Sequence, residues 1–343
     1  MRVASLRAAI RWAETKAADL HGVSVVGTSP ALVWAHGLGG SCAADDVRGM
    51  EEILDPGRLG NRTILRLDLR GHGRSVAAHD PARGHEQYTW PELAKDLRKA
   101  AADSVSRCFY GGEGLGAAVA LHAALAATAT GSVDAPPGLV LMRPPQALTQ
   151  MAKGVMDERW QERVRSTADV VDEQGFEGLE AMEREGDHQF LSGANAMFAD
   201  ASLEQLQQIR RATDKAVFAA ALRGHADSQP PDERLIGRLK DKLARAPQAM
   251  AADAYGVPLT PGCPVLILAI AGDVVHTVEA AEEVASMLPD SELEVAQDVE
   301  HAKTMWAARI SSFLRKAACA RANHGKRKPN TWQNTRIILI SAL

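Results

Sequence analysis

Three short segments carry residues whose types and spacing could do chemistry. The first is His36-Gly37-Leu38-Gly39-Gly40, directly after an apolar run. Glycines there let the backbone turn tightly and present N–H groups to a developing oxyanion. The second is Asp68-Leu-Arg-Gly-His-Gly-Arg-Ser75, again directly after an apolar run. The third is Gly112-Glu113-Gly114-Leu115-Gly116, between an apolar run and a small-residue helical stretch. That is the setting of a nucleophile elbow, whose usual form is G-x-S-x-G. Here the central residue is Gly114, which has no atom to attack a carbonyl. Glu113 is the alternative at the tip, since a carboxylate can serve as a nucleophile. Ser41, Cys42 and Cys108 lie nearby and read as loop or strand residues. Neither Gly-rich run is a dinucleotide or phosphate fingerprint, and no His/Cys/Asp/Glu cluster has metal-ligand spacing. No metal and no cofactor is expected.

These segments need rigid elements to hold them. Short apolar runs bounded by Gly, Pro or polar turns predict buried strands at Ala31–His36, Thr63–Asp68, Arg107–Gly111, Gly138–Met142, Cys263–Ala269 and Glu292–Ala296. A first strand pair is expected near Ala8–Glu14. Helical spacing appears over Trp90–Ala102, Gly116–Ala129, Val278–Leu288 and Ala307–Ala318. Gly116–Ala129 is apolar almost all round, which predicts a buried helix. Strand alternating with helix predicts an α/β fold with a mostly parallel sheet covered on both faces. Between Pro144 and Pro258 the alternation stops. Helical segments at Trp160–Gln174, Ser202–Leu222 and Asp232–Arg245 point to an α-helical insertion. The expected division is a core of residues 1–145 and 256–320, a helical cap at 146–255, and a disordered or loosely docked tail at 321–343.

Composition narrows the class. The chain has 343 residues and a net charge of −4, without the basic excess of a dedicated nucleic-acid binder. Aromatic residues are only 4%, against a base-stacking surface or an aromatic cage. Four cysteines without C-x-x-C exclude a disulfide scaffold and a Cys-rich zinc module. No apolar run reaches the roughly 18–20 residues that span a bilayer. A cytoplasmic chain is expected. The Arg-containing, acid-free segment Met1–Ala13 makes organelle targeting the alternative.

In the order of its motifs, the chain resembles the α/β-hydrolase fold family, in the branch with His-Gly-Leu after the third strand and Asp-x-Arg-Gly-His-Gly-x-Ser after the fourth. The resemblance covers roughly residues 1–145 and 256–318. It implies a nucleophile–acid–histidine order, with Gly114 in the nucleophile's place. Ala271-Gly-Asp-Val-Val-His276 is similar to the family's acid turn, with Thr277 for its Pro, and makes Asp273 the acid. Asp298-Val-Glu-His301, after the last strand, makes His301 the base. Asp273 would then fix the tautomer of His301 and favour its charged form. His276 is expected to support its loop, and Asp298 to be exposed. The resemblance also implies an oxyanion hole from the N–H groups of Leu38 and Leu115, with His36, Gly37 and Glu113 supporting the pocket. Arg223 and His225 are read as loop residues, with a pocket-facing role as the alternative. The implied functions are hydrolysis of a carboxylic ester or lactone, non-catalytic binding of a small acyl or carbonyl compound, or base catalysis by the His–Asp pair as in a lyase or a cofactor-free oxygenase.

Overall fold

A computed structural model describes residues 13–17, 20–75, 79–104, 108–129, 135–148, 158–185, 203–228, 263–288 and 290–325. Eight strands form one sheet: β1 Ala13–Ala17, β2 Leu20–Val25, β3 Thr28–Ala35, β4 Arg62–Leu67, β5 Cys108–Glu113, β6 Leu139–Met142, β7 Val265–Ile270 and β8 Ser291–Ala296. Their order is β1-β2-β4-β3-β5-β6-β7-β8. The β1–β2 and β2–β4 pairs are antiparallel, and every pair from β4 to β8 is parallel. The six apolar runs after the first strand pair all became strands, within a few residues of their expected ends. The first pair forms at Ala13–Val25, later than expected, and residues 8–12 lie outside the described residues.

Strands that are apolar on both faces need cover on both faces. In β3, Ala31, Val33 and Ala35 point into one core, and Leu32 and Trp34 into the other. The first core is closed by α3 Trp90–Ser104, α4 Leu115–Ala129 and α8 Val278–Met287. The second is closed by α2 Met50–Ile53, which follows α1 Cys42–Val47 in the chain, and by α9 Val299–Gly325, with Trp306, Ile310 and Phe313 of α9 fully or almost fully buried. Between β6 and β7 in sequence come α5 Glu158–Glu185, α6 Leu203–Arg211 and α7 Lys215–Ala226. Helices α5 and α7 build a separate apolar cluster that includes Val164, Ala168, Val171, Phe218 and Leu222, on which Leu38 and Trp160 also pack. The helix expected at Asp232–Arg245, the boundary near residue 255, and the tail beyond Gly325 lie outside the described residues.

The approach of α4 to the sheet decides where the elbow sits. Gly116 lies so close to β3 that a Cβ there would come within 2.0 Å of the Ala35 carbonyl oxygen. Only glycine fits, and this contact brings the start of α4 against the ends of β3 and β5. Gly116→Ala should therefore destabilise the fold by about 1–3 kcal/mol or more through overpacking. Gly60→Ala, with nothing within 4 Å of the added Cβ, should lose only about 1 kcal/mol to its positive φ. Urea unfolding of the two variants compares them directly.

Candidate active site

The C-terminal ends of β3, β5, β6 and β7 meet at one edge of the sheet, where open α/β sheets hold their ligands. After β3, His36 fixes the first glycine loop. Its Nε2 accepts from the Leu69 N–H at 3.0 Å, so its Nδ1–H donates to the Gly37 carbonyl at 2.7 Å. Gly40 N–H closes the same turn on the Gly37 carbonyl. The segment after β4 is braced by Asp68, which accepts from Cys42 N–H at 2.6 Å and Arg74 N–H at 2.9 Å, and pairs with His21 Nδ1 at 2.8 Å. These contacts make His36 and Asp68 scaffolding for the loops.

At the elbow, Gly114 has φ +53°, the left-handed conformation of a strand-to-helix nucleophile turn. Its N–H donates to the Met142 carbonyl of β6, and its carbonyl accepts from Ala117 and Ala118 at the start of α4. Leu115 is the first residue of α4, so its N–H stands outside the helix's own ladder. Leu38 lies half-buried in the facing loop. A Cβ built on Gly114 would lie 3.2 Å from His276 Nε2 and 3.8 Å from Gly37 Cα. His276 is thus the imidazole that faces the elbow.

Below the elbow runs a chain of buried ions. Glu113 binds Arg48 through one oxygen and Arg143 through the other, each at 2.8 Å. Arg48 also pairs with the buried Asp45. Arg143 reaches Asp273 through Nε at 2.6 Å. Arg143 follows β6 with φ +48°, a strained conformation for a side chain of that size. Its two ion pairs hold it there. Burial alone would raise the Glu113 carboxyl, but Arg48 and Arg143 outweigh it and keep Glu113 ionised. A carboxylate clamped by two arginines is not a free nucleophile, so Glu113 is a structural ion.

The expected Asp273–His301 pair does not form. One oxygen of Asp273 accepts from Val275 N–H and His276 N–H at 3.0 Å each, and the other binds Arg143. Burial raises its carboxyl, but Arg143 and His276 lower it more. His301 is exposed in the first turn of α9, where its Nδ1 accepts from Gln297 N–H at 3.2 Å and its own N–H donates to Asp298. The histidine nearest to Asp273 is His276, with Nδ1 at 3.8 Å from Oδ2, beyond hydrogen-bond length. His276 therefore faces the elbow from its loop. Its motif position, three residues after the acid, was the only signal for it in the sequence.

A second missed histidine is His225, which lies within α7 and not in a loop. It is buried, and its Nδ1 accepts from Trp90 Nε1–H at 2.7 Å. Arg223 turns outward to Asp169 and Asp172 of α5. Among the described residues there is no group of three or more His, Cys, Asp or Glu suited to a metal ion. No helix among them is long and apolar enough to cross a membrane.

Comparison with known proteins agrees with this architecture. No family model and no curated protein matches the sequence. Solved structures do match. A hydrolase from Oleispira antarctica superposes with a TM-score of 0.58 at 16% identity, over 87% of this chain and 94% of that one. A hydrolase from Pseudomonas aeruginosa PA01 gives 0.56 at 20% identity, over 90% and 99%. The enol-lactonase from Burkholderia xenovorans LB400 gives 0.54 at 14%, over 90% and 100%. With its strand order and elbow, the chain has the α/β-hydrolase fold.

Two consequences can be measured. Glu113→Gln would leave Arg48 and Arg143 without their shared counter-charge in a buried site. A loss of about 3–5 kcal/mol in unfolding free energy is expected. The second concerns acid. Burial holds the imidazoles of His72 and His225 down to about 3 and that of His276 to about 4, with neighbouring imidazoles adding to the effect at His72 and His225 and the Arg143 guanidinium at His276. The unfolded chain takes up these protons near pH 6.5, and the folded chain does not. Stability is therefore complete above about pH 6.5 and falls on acidification, by up to about 2 kcal/mol per group at pH 5. This decline precedes the carboxylate range, so thermal melts between pH 7 and 5 should show it.

Proposed function

We propose that this chain uses its hydrolase-type site to hold a small acyl or carbonyl compound, without serine catalysis. The reading rests on one observation: the elbow residue is Gly114, and the carboxylate that would orient a catalytic histidine is tied to Arg143. Loss of a triad serine alone typically lowers turnover about a millionfold. A histidine without a hydrogen-bonded acid also lacks the group that fixes its tautomer. The oxyanion donors, the Leu38 and Leu115 N–H groups, belong to backbone and do not depend on the missing side chain. They suit a carbonyl oxygen. The helices between β6 and β7 act as the cap that selects the ligand, as Leu38 and Trp160 join their apolar cluster.

A second reading is base catalysis. His276 Nε2 lies 3.2 Å from the Cβ position at the elbow. Its lowered proton affinity keeps it neutral at pH 7, which is the state a general base needs. In this reading His276 removes a proton from a bound substrate or water, and Asp273 supports it from 3.8 Å.

The decisive comparison is ester hydrolysis by the unmodified protein and by Gly114→Ser. The new hydroxyl would lie within reach of His276 Nε2, completing a nucleophile–base pair. The unmodified protein should leave short p-nitrophenyl esters at the buffer rate. Gly114→Ser should turn them over at least about tenfold faster and label with a fluorophosphonate. Adding His276→Ala should abolish the gain, and adding His301→Ala should not. Hydrolysis by the unmodified protein that is lost in His276→Ala would establish the second reading in place of the first.

A further inference from the structure

A narrow cleft lies beside the first glycine loop. It is lined by residues 37–40 of that loop, by Ala44 and Arg48 at α1, and by Leu206 and Arg210 of α6. Glycine adds only backbone, and alanine and leucine are apolar. The polar side chains of the lining are the two arginines, and a guanidinium donates hydrogen bonds but cannot accept them. Three carboxylates bind these arginines: Asp45 and Glu113 at Arg48, and Glu183 at Arg210. None of the three lines the cleft. The side chains therefore offer the cleft donors and no acceptor.

Arg210 is the arginine with donors to spare. It is only 6% exposed, and its Nη1 donates to Glu183 Oε1 at 2.9 Å. Among the described residues it has no further partner. A guanidinium carries five N–H donors, so most of those on Arg210 are unused, in a residue that is nearly buried and borders the cleft. Arg48, by contrast, is shared between two buried carboxylates. The cleft also adjoins the elbow. Gly37 lines it, and Gly37 Cα lies 3.8 Å from a Cβ built on Gly114. Leu38, which belongs to the oxyanion loop, lines it as well.

We propose that this cleft holds a carboxylate of the bound acyl or carbonyl compound, with Arg210 as the residue that selects for it. The ligand is then an oxo acid or the monoester of a dicarboxylic acid, and not a neutral ester. The choice follows from what the lining offers. An ammonium group has no acceptor side chain to meet there, and a hydroxyl would leave its own proton without one. A carboxylate only accepts, and its two oxygens match the fork of a guanidinium. Because each arginine already has a carboxylate partner, the surplus of positive charge is small, which suits a monoanion better than a doubly charged phosphate. The narrow cleft takes the charged head, and the rest of the ligand lies along the loop towards the elbow. This inference rests on the ligand-binding reading above and names a second functional group of that ligand.

The test is an NMR titration of the full-length chain with levulinate, methyl levulinate and chloride. Levulinate carries a ketone and a carboxylate, its methyl ester has no charge, and chloride is an anion without a carbonyl. Ligand-observed spectra give the affinities, and the Arg210 Nε–H signal of the labelled protein reports the site. Levulinate should bind about tenfold more tightly than its methyl ester, the effect of charge-assisted hydrogen bonds. The Arg210 signal should shift with levulinate and not with the ester. In Arg210→Met combined with Glu183→Met, which removes both members of the ion pair together, the advantage of the acid should vanish and the affinity of the ester should stay the same. The Arg210 shift in the unmodified protein decides the matter even where the double variant does not fold. Equal affinity for acid and ester, an Arg210 signal that levulinate leaves in place, or chloride binding as tightly as levulinate would overturn the carboxylate assignment and leave carbonyl binding standing. Binding of neither levulinate nor its ester would overturn both.

Discussion

The Arg143 guanidinium ties the whole site together. It stands at the end of β6 in a backbone conformation that disfavours large side chains, and it is buried. From there it holds Glu113 of the elbow and Asp273 of the loop after β7 at once. Glu113 in turn holds Arg48, and Arg48 holds Asp45. Buried charges like these are tolerated only when each is paired, and the network has little freedom to rearrange. It fixes the spacing of three loops and keeps the Asp273 carboxylate occupied.

That occupation changes what the fold can do. In a serine hydrolase the acid, the histidine and the nucleophile form a line of hydrogen bonds. Here Asp273 faces Arg143, the histidine that faces the strand-to-helix turn is His276, and Gly114 at that turn has no side chain. The backbone geometry of the elbow survives regardless. Gly116 still packs against Ala35, and Gly114 still adopts the left-handed turn. The turn between β5 and α4 therefore keeps its shape, with the imidazole of His276 facing it.

The architecture was legible because it depends on local patterns. A run such as Val265–Ile270 has only one way to bury both faces, as a central parallel strand. The small residues of α4 announce close packing against the sheet. The strand at Leu20–Val25 is harder to locate, because it mixes buried with half-buried positions. The segment around His225 reads as a loop because Pro230 and Pro231 follow it closely, although α7 runs on to Ala226 before them.

The sequence by itself determined the sheet, the order of the motifs and the absence of a serine at the elbow, since each is written in neighbouring residues. Which histidine meets Gly114 was decided only by the tertiary structure. His276 and His301 both follow core strands, and both have an aspartate three residues before them. What separates them is long-range: Arg143, 130 residues from Asp273 in the chain, takes the carboxylate. His301 stays at the surface in the first turn of α9, held by Gln297 and Asp298. Charge pairing across such separations follows from the packing of β5, β6 and β7, and no local pattern encodes it.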